Sequence, residues 1–567
     1  MFLIFVSLFL SSIYLFSLGV VGNKIFFSKR LEDTNNYYEV GLLGIILASI
    51  IAFILNFFVS LNKFINDFIF LLPIILIFLK KFNRDLDLYK FFSFIFLSSI
   101  VGSILISYDN VYRPDAGLYH LPFISILNES KIIVGLSNLH FRFGHISIIQ
   151  YLSASFNNHL FNEKGILIPH ALIFSFFLMF LIQKIFSEKN KIILIIMFSF
   201  FSFIVFRMNR YSSFGNDAPS HFYYMYLVIL SIYFIFDNKI NFNNLNKIIL
   251  VAIFVYFNKI TMLMSLFVPL IFLINKNFFK IILDKVFILL VIIFFLWSGK
   301  NILISGCFAF PLEQTCIKKL YWFDKSETRR SNAKSGRIEN EAWTKGAPNQ
   351  SEKSFSEFIS SNDWIKVWKD NHGVKIMKKI SPFLIFMFLS FCFLIFKDKK
   401  INYYNKIQTN KKIYLILLIN LIGSILWFIK FPVFRYGYGY LISSFSFLYS
   451  FAIIYFIDLN IDKFKKYFKV ILIVLLIGIS LKSFTRIYNN IGSKSSAWPN
   501  IYSDEKIDKK YNIYPIYLNN KVVFYKPGQS MCYFTNKTPC THLVDSEFKA
   551  TEINLKIFNG YKIYFFK

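Results

Sequence analysis

Acidic residues are scarce in this 567-residue chain: 63 Lys and Arg stand against 32 Asp and Glu, a formal charge of +31. Such an excess ordinarily points to nucleic acid. Here Phe, Ile, Asn, Lys and Tyr are enriched together, as in the drift of an AT-rich genome, and much of the charge sits in short loops between apolar runs. Nucleic acid is set aside as a partner on that ground. Cysteine is almost missing as well. The five present show no Cys-x-x-Cys spacing and no flanking His pair, which weakens any zinc reading. The first apolar run, 1–20, lacks a basic leader and a small-residue cleavage site, so it reads as a retained anchor rather than a signal peptide. No internal repeat announces a transporter built from two matched halves.

What is abundant settles the class. The chain is 56% hydrophobic with 74 Phe, and its apolar runs recur at roughly 16–22 residues, enough to cross a hydrocarbon core of about 30 Å. The expected fold is an all-α polytopic membrane protein. Basic residues orient it: Lys80, Lys81 and Arg84, then Lys184, Lys189 and Lys191, Lys239 and Lys247, Lys276, Lys280 and Lys285, the cluster from Lys397 to Lys412, and Lys463 to Lys469 mark cytoplasmic loops. Alternation sends 108–165, 207–217, 299–380, 430–438 and 484–567 to the other side. The stretch 248–275 is interrupted at Asn258-Lys259. Read as a broken pair, 248–257 and 260–275, it keeps the lysine pattern intact and gives about 14 segments with both termini external.

The resulting organisation is 1–107, N-terminal spans; 108–165, a first extracytoplasmic loop; 166–298, a membrane core; 299–380, a polar external loop carrying Trp322, Trp343, Trp364 and Trp368; 381–483, C-terminal spans; and 484–567, a small α/β or β-rich external domain with alternating runs such as KVVFYK, joined through SSAWPNIY. Cys307 with Cys316, and Cys532 with Cys540, bracket short loops on the external side, where an oxidising compartment favours pairing. Unpaired thiols are the plainer alternative. Cys392 falls within a span.

Chemistry concentrates in 112–145, YRPDAGLYHLPFISILNESKIIVGLSNLHFRFGH, directly after a span. Lipid tolerates such side chains only where they line a cavity or leave the membrane. Asp115 and Tyr119 share a face if a helix begins there, and a carboxylate beside His120 suits a general base or a metal contact. An Asp after Pro at the head of an apolar run is equally a helix cap. Asp109 is a second carboxylate in a weaker context. His140, Arg142 and His145 suit an anion site, or an interface where such side chains snorkel. Asn138 and Gly144 fit close backbone approach or turn geometry. Further along, Arg207, Arg210, Asp217 and His221 occupy one turn and Lys430, Arg435, Tyr436 and Tyr438 another. Together they would form an anionic-ligand pocket, while 430–440 alone also matches an aromatic interfacial belt. Tyr112, Tyr119, Phe141, Tyr436 and Tyr438 could stack on sugar rings or an isoprenoid, or simply pack.

The pattern D-A-x-x-Y-H-L-P (Asp115, Ala116, Tyr119, His120, Leu121, Pro122), then G-L-x-N-L-H-x-R-F-G (Gly135, Leu136, Asn138, Leu139, His140, Arg142, Phe143, Gly144), resembles the first luminal or periplasmic loop of GT-C type glycosyltransferases. With S-G-C…P…T-C at 305–316 and P-G-x-x-x-C…P-C-T at 527–541, it is similar to an uncharacterised family of bacterial multi-span membrane proteins. The resemblance implies an enzyme of the bacterial inner membrane that moves a sugar from a polyprenyl-phosphate-linked donor to an envelope glycan or lipid acceptor outside the cytoplasm. It implies Asp115 as catalytic base, with His120 beside it, Asp217 as second acid and Arg435 as phosphate clamp. Tyr119, Asn138, His140 and Arg142 are implied as substrate-binding. About four spans rather than one precede the loop, and no dedicated metal motif is visible, so the fold subtype and a divalent metal ion stay open. An O-antigen or capsule polymerase would use similar loops. A flippase or transporter of lipid-linked glycans would place its charges near mid-span, whereas here they cluster at span ends. A non-catalytic scaffold is the last rival.

Overall fold

The computed structural model describes residues 1–27, 36–79, 86–108, 114–207, 214–236, 242–273, 282–347, 354–397, 410–491, 497–498, 512–518, 521–528 and 531–567. Among them, ten helices are long and apolar enough to cross a bilayer: Phe2–Phe26, Tyr37–Leu55, Leu88–Ile106, Asn162–Ser187, Asp217–Phe236, Lys285–Ser305, Asp363–Phe396, Lys411–Lys430, Phe434–Phe456 and Ile461–Ile491. Lys191–Phe206, Phe242–Asn258 and Ile260–Leu273 are shorter apolar helices. Against an expectation of about 14 segments, the described residues hold these ten long helices and three shorter ones, beside the 15-residue helix Lys63–Ile77 with Pro73 inside it. The outermost helix presents Val470, Ile473, Val474, Ile477 and Leu481 outward, a surface that water penalises and lipid accepts. The chain is a multi-span membrane protein.

Local chemistry sets the helix ends. Asn36 and Asn62 accept the backbone N–H of Glu39 (3.1 Å) and Ile65 (3.0 Å), and Asp284 accepts those of Val286 and Phe287. The first two long helices cross at glycines. A Cβ on Gly44 would fall 1.7 Å from the Leu15 carbonyl oxygen, and one on Gly19 2.0 Å from that of Val40. In lipid, where no hydrophobic force drives helices together, such close packing supplies the attraction.

At Asn258-Lys259 the chain doubles back. Ser265 donates to the Ala252 carbonyl at 3.0 Å, and the returning arm opens as a 3₁₀ segment, Ile260–Leu266. Helix also runs past two boundaries expected from composition. A π-turn at Lys369–Gly373 carries the helix through polar Lys-Asp-Asn-His into the span beyond, and the last long helix continues through 483 to Ile491.

The C-terminal domain is built from two antiparallel hairpins, β1 (Ile513–Leu518) with β2 (Lys521–Pro527) and β3 (Ile553–Phe558) with β4 (Tyr561–Phe566). It docks on the first loop. Tyr533 N–H donates to the Gly117 carbonyl (3.0 Å), Thr541 Oγ1 to that of Leu139 (2.7 Å), and Tyr564 N–H to that of Val134 (2.9 Å), whose own N–H donates to the Lys562 carbonyl (2.9 Å). Gly135, at φ +68°, lies where a Cβ would meet the Tyr564 carbonyl oxygen at 2.0 Å, so only glycine fits this seam.

Cys307 bonds Cys316 and Cys532 bonds Cys540, while Cys392 is free. Each bridge closes a loop of about ten residues and is expected to contribute about 2–3 kcal/mol by restricting the unfolded chain. Non-reducing peptide mapping should recover both linkages from protein purified out of its native envelope. Four free thiols in that experiment would remove this contribution.

Candidate functional site

Helix cap and reacting carboxylate are separable readings of Asp115 once its partners are known. Asp115 precedes a π-helix, Ala116–His120, in helical backbone geometry and makes no capping hydrogen bond. Its Oδ2 instead accepts from Arg435 Nη1 at 2.6 Å, 320 positions along the chain. π-Turns recur at functional sites because the extra residue re-aims the side chains around it.

Arg435 is itself held. Its carbonyl oxygen accepts from His221 Nε2 (2.9 Å) and Lys259 Nζ (3.1 Å), and Lys259 also forms an ion pair with Asp217. His221 Nδ1 accepts the Gly439 N–H at 3.1 Å, so this imidazole is a neutral Nε2–H tautomer with both nitrogens used. The ion pairs Asp115–Arg435 and Asp217–Lys259 are thus joined through the Arg435 backbone carbonyl, and they are drawn from the first loop, two helix starts and the break between two helices.

These groups line one cavity of about 390 Å³, which also takes in Tyr119, His120 and Arg142. Its apolar wall comes from Phe203, Phe214, Tyr256, Trp297 and Phe434. The Gln150 amide is fixed because its Oε1 accepts the Ser147 N–H (2.9 Å), so its Nε2 donates to His120 Nδ1 at 3.1 Å. That leaves the proton on His120 Nε2, the nitrogen on the Gly215 side, 3.7 Å from where a Cβ on Gly215 would stand. His120 therefore offers the cavity a hydrogen-bond donor rather than a base.

Other expected ligands are placed elsewhere. Asn138 lies outside the cavity, its amide donating to the carbonyls of Trp322 (2.8 Å) and Tyr564 (3.0 Å), where it fastens the C-terminal domain. His140 accepts the Arg142 N–H on Nδ1 (3.1 Å) and stands 5.0 Å, ring to ring, from His542. It faces a smaller chamber of about 250 Å³ that shares Asp115, Tyr119, Arg142 and Arg435 with the larger one. The Phe141 ring carries Arg142 and Arg330, each at 4.8 Å, rather than an open face. Asp109, Tyr112 and Arg210 lie outside the described residues.

Two contributors escaped the sequence reading. Lys259 figured only as a break in an apolar run, although a charge within a span is itself a functional signal. The helix Ala333–Thr344 brings Asn340, which accepts from Arg142 Nη1 at 3.2 Å, and Glu341, which is 3% exposed beside Lys345 (2.8 Å), Arg337 (3.6 Å) and Lys430 (3.7 Å). Nothing in its composition marked it. Among the described residues no three His, Cys, Asp or Glu are placed to hold a metal ion, and both cavity aspartates already face a cation.

Burial works to raise the Asp115 carboxyl, but the charge and hydrogen bond of Arg435 together with the other cationic groups around it, Arg142 among them, outweigh it and hold the group below the usual carboxylate range. Burial lowers His120 to about 4, His145 to about 3, His542 to about 4, and His140 well below its ordinary value. All four are neutral at pH 7. Because the unfolded chain takes up protons near pH 6.5 and the folded chain does not, their stability contribution is complete above pH 6.5 and is lost as pH falls toward 4, by up to about 1.4 kcal/mol per pH unit for each. The thermal midpoint in detergent is expected to drop between pH 7 and 5, and less steeply in His542→Asn. A flat midpoint over that window would contradict the assignment.

A comparison with protein families assigns residues 1–442 to the one described as domain of unknown function DUF8201. The chain belongs to that family. The matched stretch includes every residue lining the larger cavity and ends before the C-terminal domain. No curated protein and no solved structure matches the chain.

Proposed function

We propose that this cavity transfers a sugar from a polyprenyl-phosphate-linked donor to an acceptor hydroxyl at the membrane surface, on the extracytoplasmic side of a bacterial inner membrane. The observation that carries the reading is the Asp115–Arg435 pair, at 2.6 Å, in a cavity that also holds the Asp217–Lys259 pair and an aromatic wall. When a donor phosphate draws Arg435 to itself, Asp115 is released as a base. The acceptor oxygen then attacks the anomeric carbon, the bond from that carbon to the phosphate oxygen breaks with its electron pair on phosphate, and the acceptor proton passes to Asp115. Arg435, Lys259 and Arg142 stabilise the departing phosphate, and the His120 Nε2–H can donate to a substrate oxygen. The aromatic wall suits an isoprenoid chain. Asp115, Asp217 and Arg435 sit where helices begin and Lys259 at the break after Asn258, a placement that favours surface chemistry over transport.

Purified protein in liposomes should move labelled sugar from a polyprenyl-phosphate donor to an envelope acceptor, and a deletion strain should accumulate the lipid-linked sugar by mass spectrometry. Absence of both would reject the reading. The sidedness is tested apart from it: cysteines introduced near 340 should label only from outside the cytoplasm.

A further inference from the structure

The cavity holds more positive charge than its own carboxylates neutralise. Eight Lys and Arg side chains line it against Asp115, Asp217 and Glu341, an excess of five. Asp115 takes Arg435, Asp217 takes Lys259, and Glu341 is already crowded by Lys345 and Arg337. At the rim this leaves Arg207, Lys375 and Lys430, with Lys379 alongside. Among the described residues Arg207 and Lys375 have no carboxylate partner, and Lys430 has only the distant Glu341 oxygen at 3.7 Å.

Position alone does not account for the rim. Arg207 and Lys430 sit at the C-terminal ends of helices, where the macrodipole favours a cation. Lys375 and Lys379 do not. Both lie inside the helix Asp363–Phe396, away from its ends, and Lys375 is exposed there without a carboxylate partner among the described residues. Arg207, its guanidinium 6.0 Å from the Phe434 ring, lines the same cavity as the Asp115–Arg435 pair.

We infer that Arg207, Lys375 and Lys430 form a second anion subsite, and that the lipid-linked ligand carries two joined phosphates, a diphosphate rather than a single phosphate. One phosphate lies at Arg435 and Lys259 and the other at the rim. A phosphodiester brings one negative charge where a diphosphate diester brings two, and both groups of cations line the same cavity. This rests on the reading of the cavity as a site for a polyprenyl-linked donor, and it specifies that donor's headgroup.

The test is a binding measurement and needs no turnover. Full-length protein in nanodiscs of zwitterionic lipid is titrated with farnesyl diphosphate, farnesyl monophosphate and inorganic pyrophosphate. The diphosphate is expected to bind at least about tenfold more tightly than either of the others. In Lys375→Gln/Lys430→Gln, two exposed positions whose loss leaves the fold intact, diphosphate affinity should fall about tenfold with a shallower salt dependence, and monophosphate affinity should change less than about threefold. Equal affinity for mono- and diphosphate, or an equal loss of both in the variant, would overturn the subsite. Inorganic pyrophosphate binding as tightly as farnesyl diphosphate would overturn the lipid-linked assignment in favour of a free anion. Sugar transfer from a monophosphate donor without a diphosphate preference sinks this inference alone, whereas diphosphate preference with no transfer from any donor sinks the transferase reading alone.

Discussion

Asp115→Asn is expected to lower sugar transfer by a factor of about 100 or more while leaving a folded protein. Asn has nearly the same size, and its Oδ1 can still accept from Arg435, so the contact that orients the π-turn survives in weakened form. What Asn cannot do is take a proton. The pair is partly exposed, with side-chain accessibilities of 23% and 28%, so only a small fall in thermal midpoint should accompany the loss. Asp458→Asn, at an exposed pair with Lys191, serves as the control and should cost nothing. Capping cannot mimic this result, because the Asp115 side chain makes no cap bond. Full transfer by a well-folded Asp115→Asn protein would move the chemistry to Asp217 or away from catalysis.

That sharpness comes from the tertiary structure. Periodicity and hydropathy were enough to place the long helices, because a residue run that must satisfy its backbone in lipid has few options. The same logic found the polar loop at 112–145 and the external turns that carry Asp217 and Arg435. It could not show that these turns meet, since Asp115 and Arg435 lie 320 positions apart. The places of Asn138 and His140 were hidden for a related reason. They sit in a motif with chemical character, yet Asn138 spends its amide on two carbonyls of distant segments and His140 caps a turn. Lys259 was legible only as a puzzle in the lysine count. The helix Ala333–Thr344 was not legible at all, because a polar amphipathic segment in a soluble loop looks the same whether it faces water or a cavity. The C-terminal domain lies beyond the family match but bonds to Gly117, inside the π-turn that follows Asp115. It therefore belongs to the support of the site.

The second large effect is expected at Lys259. Its side chain is 7% exposed, and its ammonium pairs with Asp217 while donating to the Arg435 carbonyl. Lys259→Met removes the cation and leaves a carboxylate largely enclosed with nothing to balance it, a change that costs about 3 kcal/mol, the low end for a broken buried pair because Asp217 keeps 28% of its exposure. The thermal midpoint in detergent should fall by several degrees. Lys259→Met/Asp217→Asn removes the uncompensated charge and should recover most of that midpoint, since a neutral pair of similar volume carries no desolvation debt. Transfer should remain low in the double variant, because the Arg435 carbonyl has lost one of its two donors and the departing phosphate one of its cations. Recovery of both stability and transfer would show that the pair is structural and leave Asp115 and Arg435 as the working groups. Failure of the double variant to regain stability would mean that Lys259 supports the fold chiefly through the Arg435 carbonyl, and that the ion pair with Asp217 contributes little.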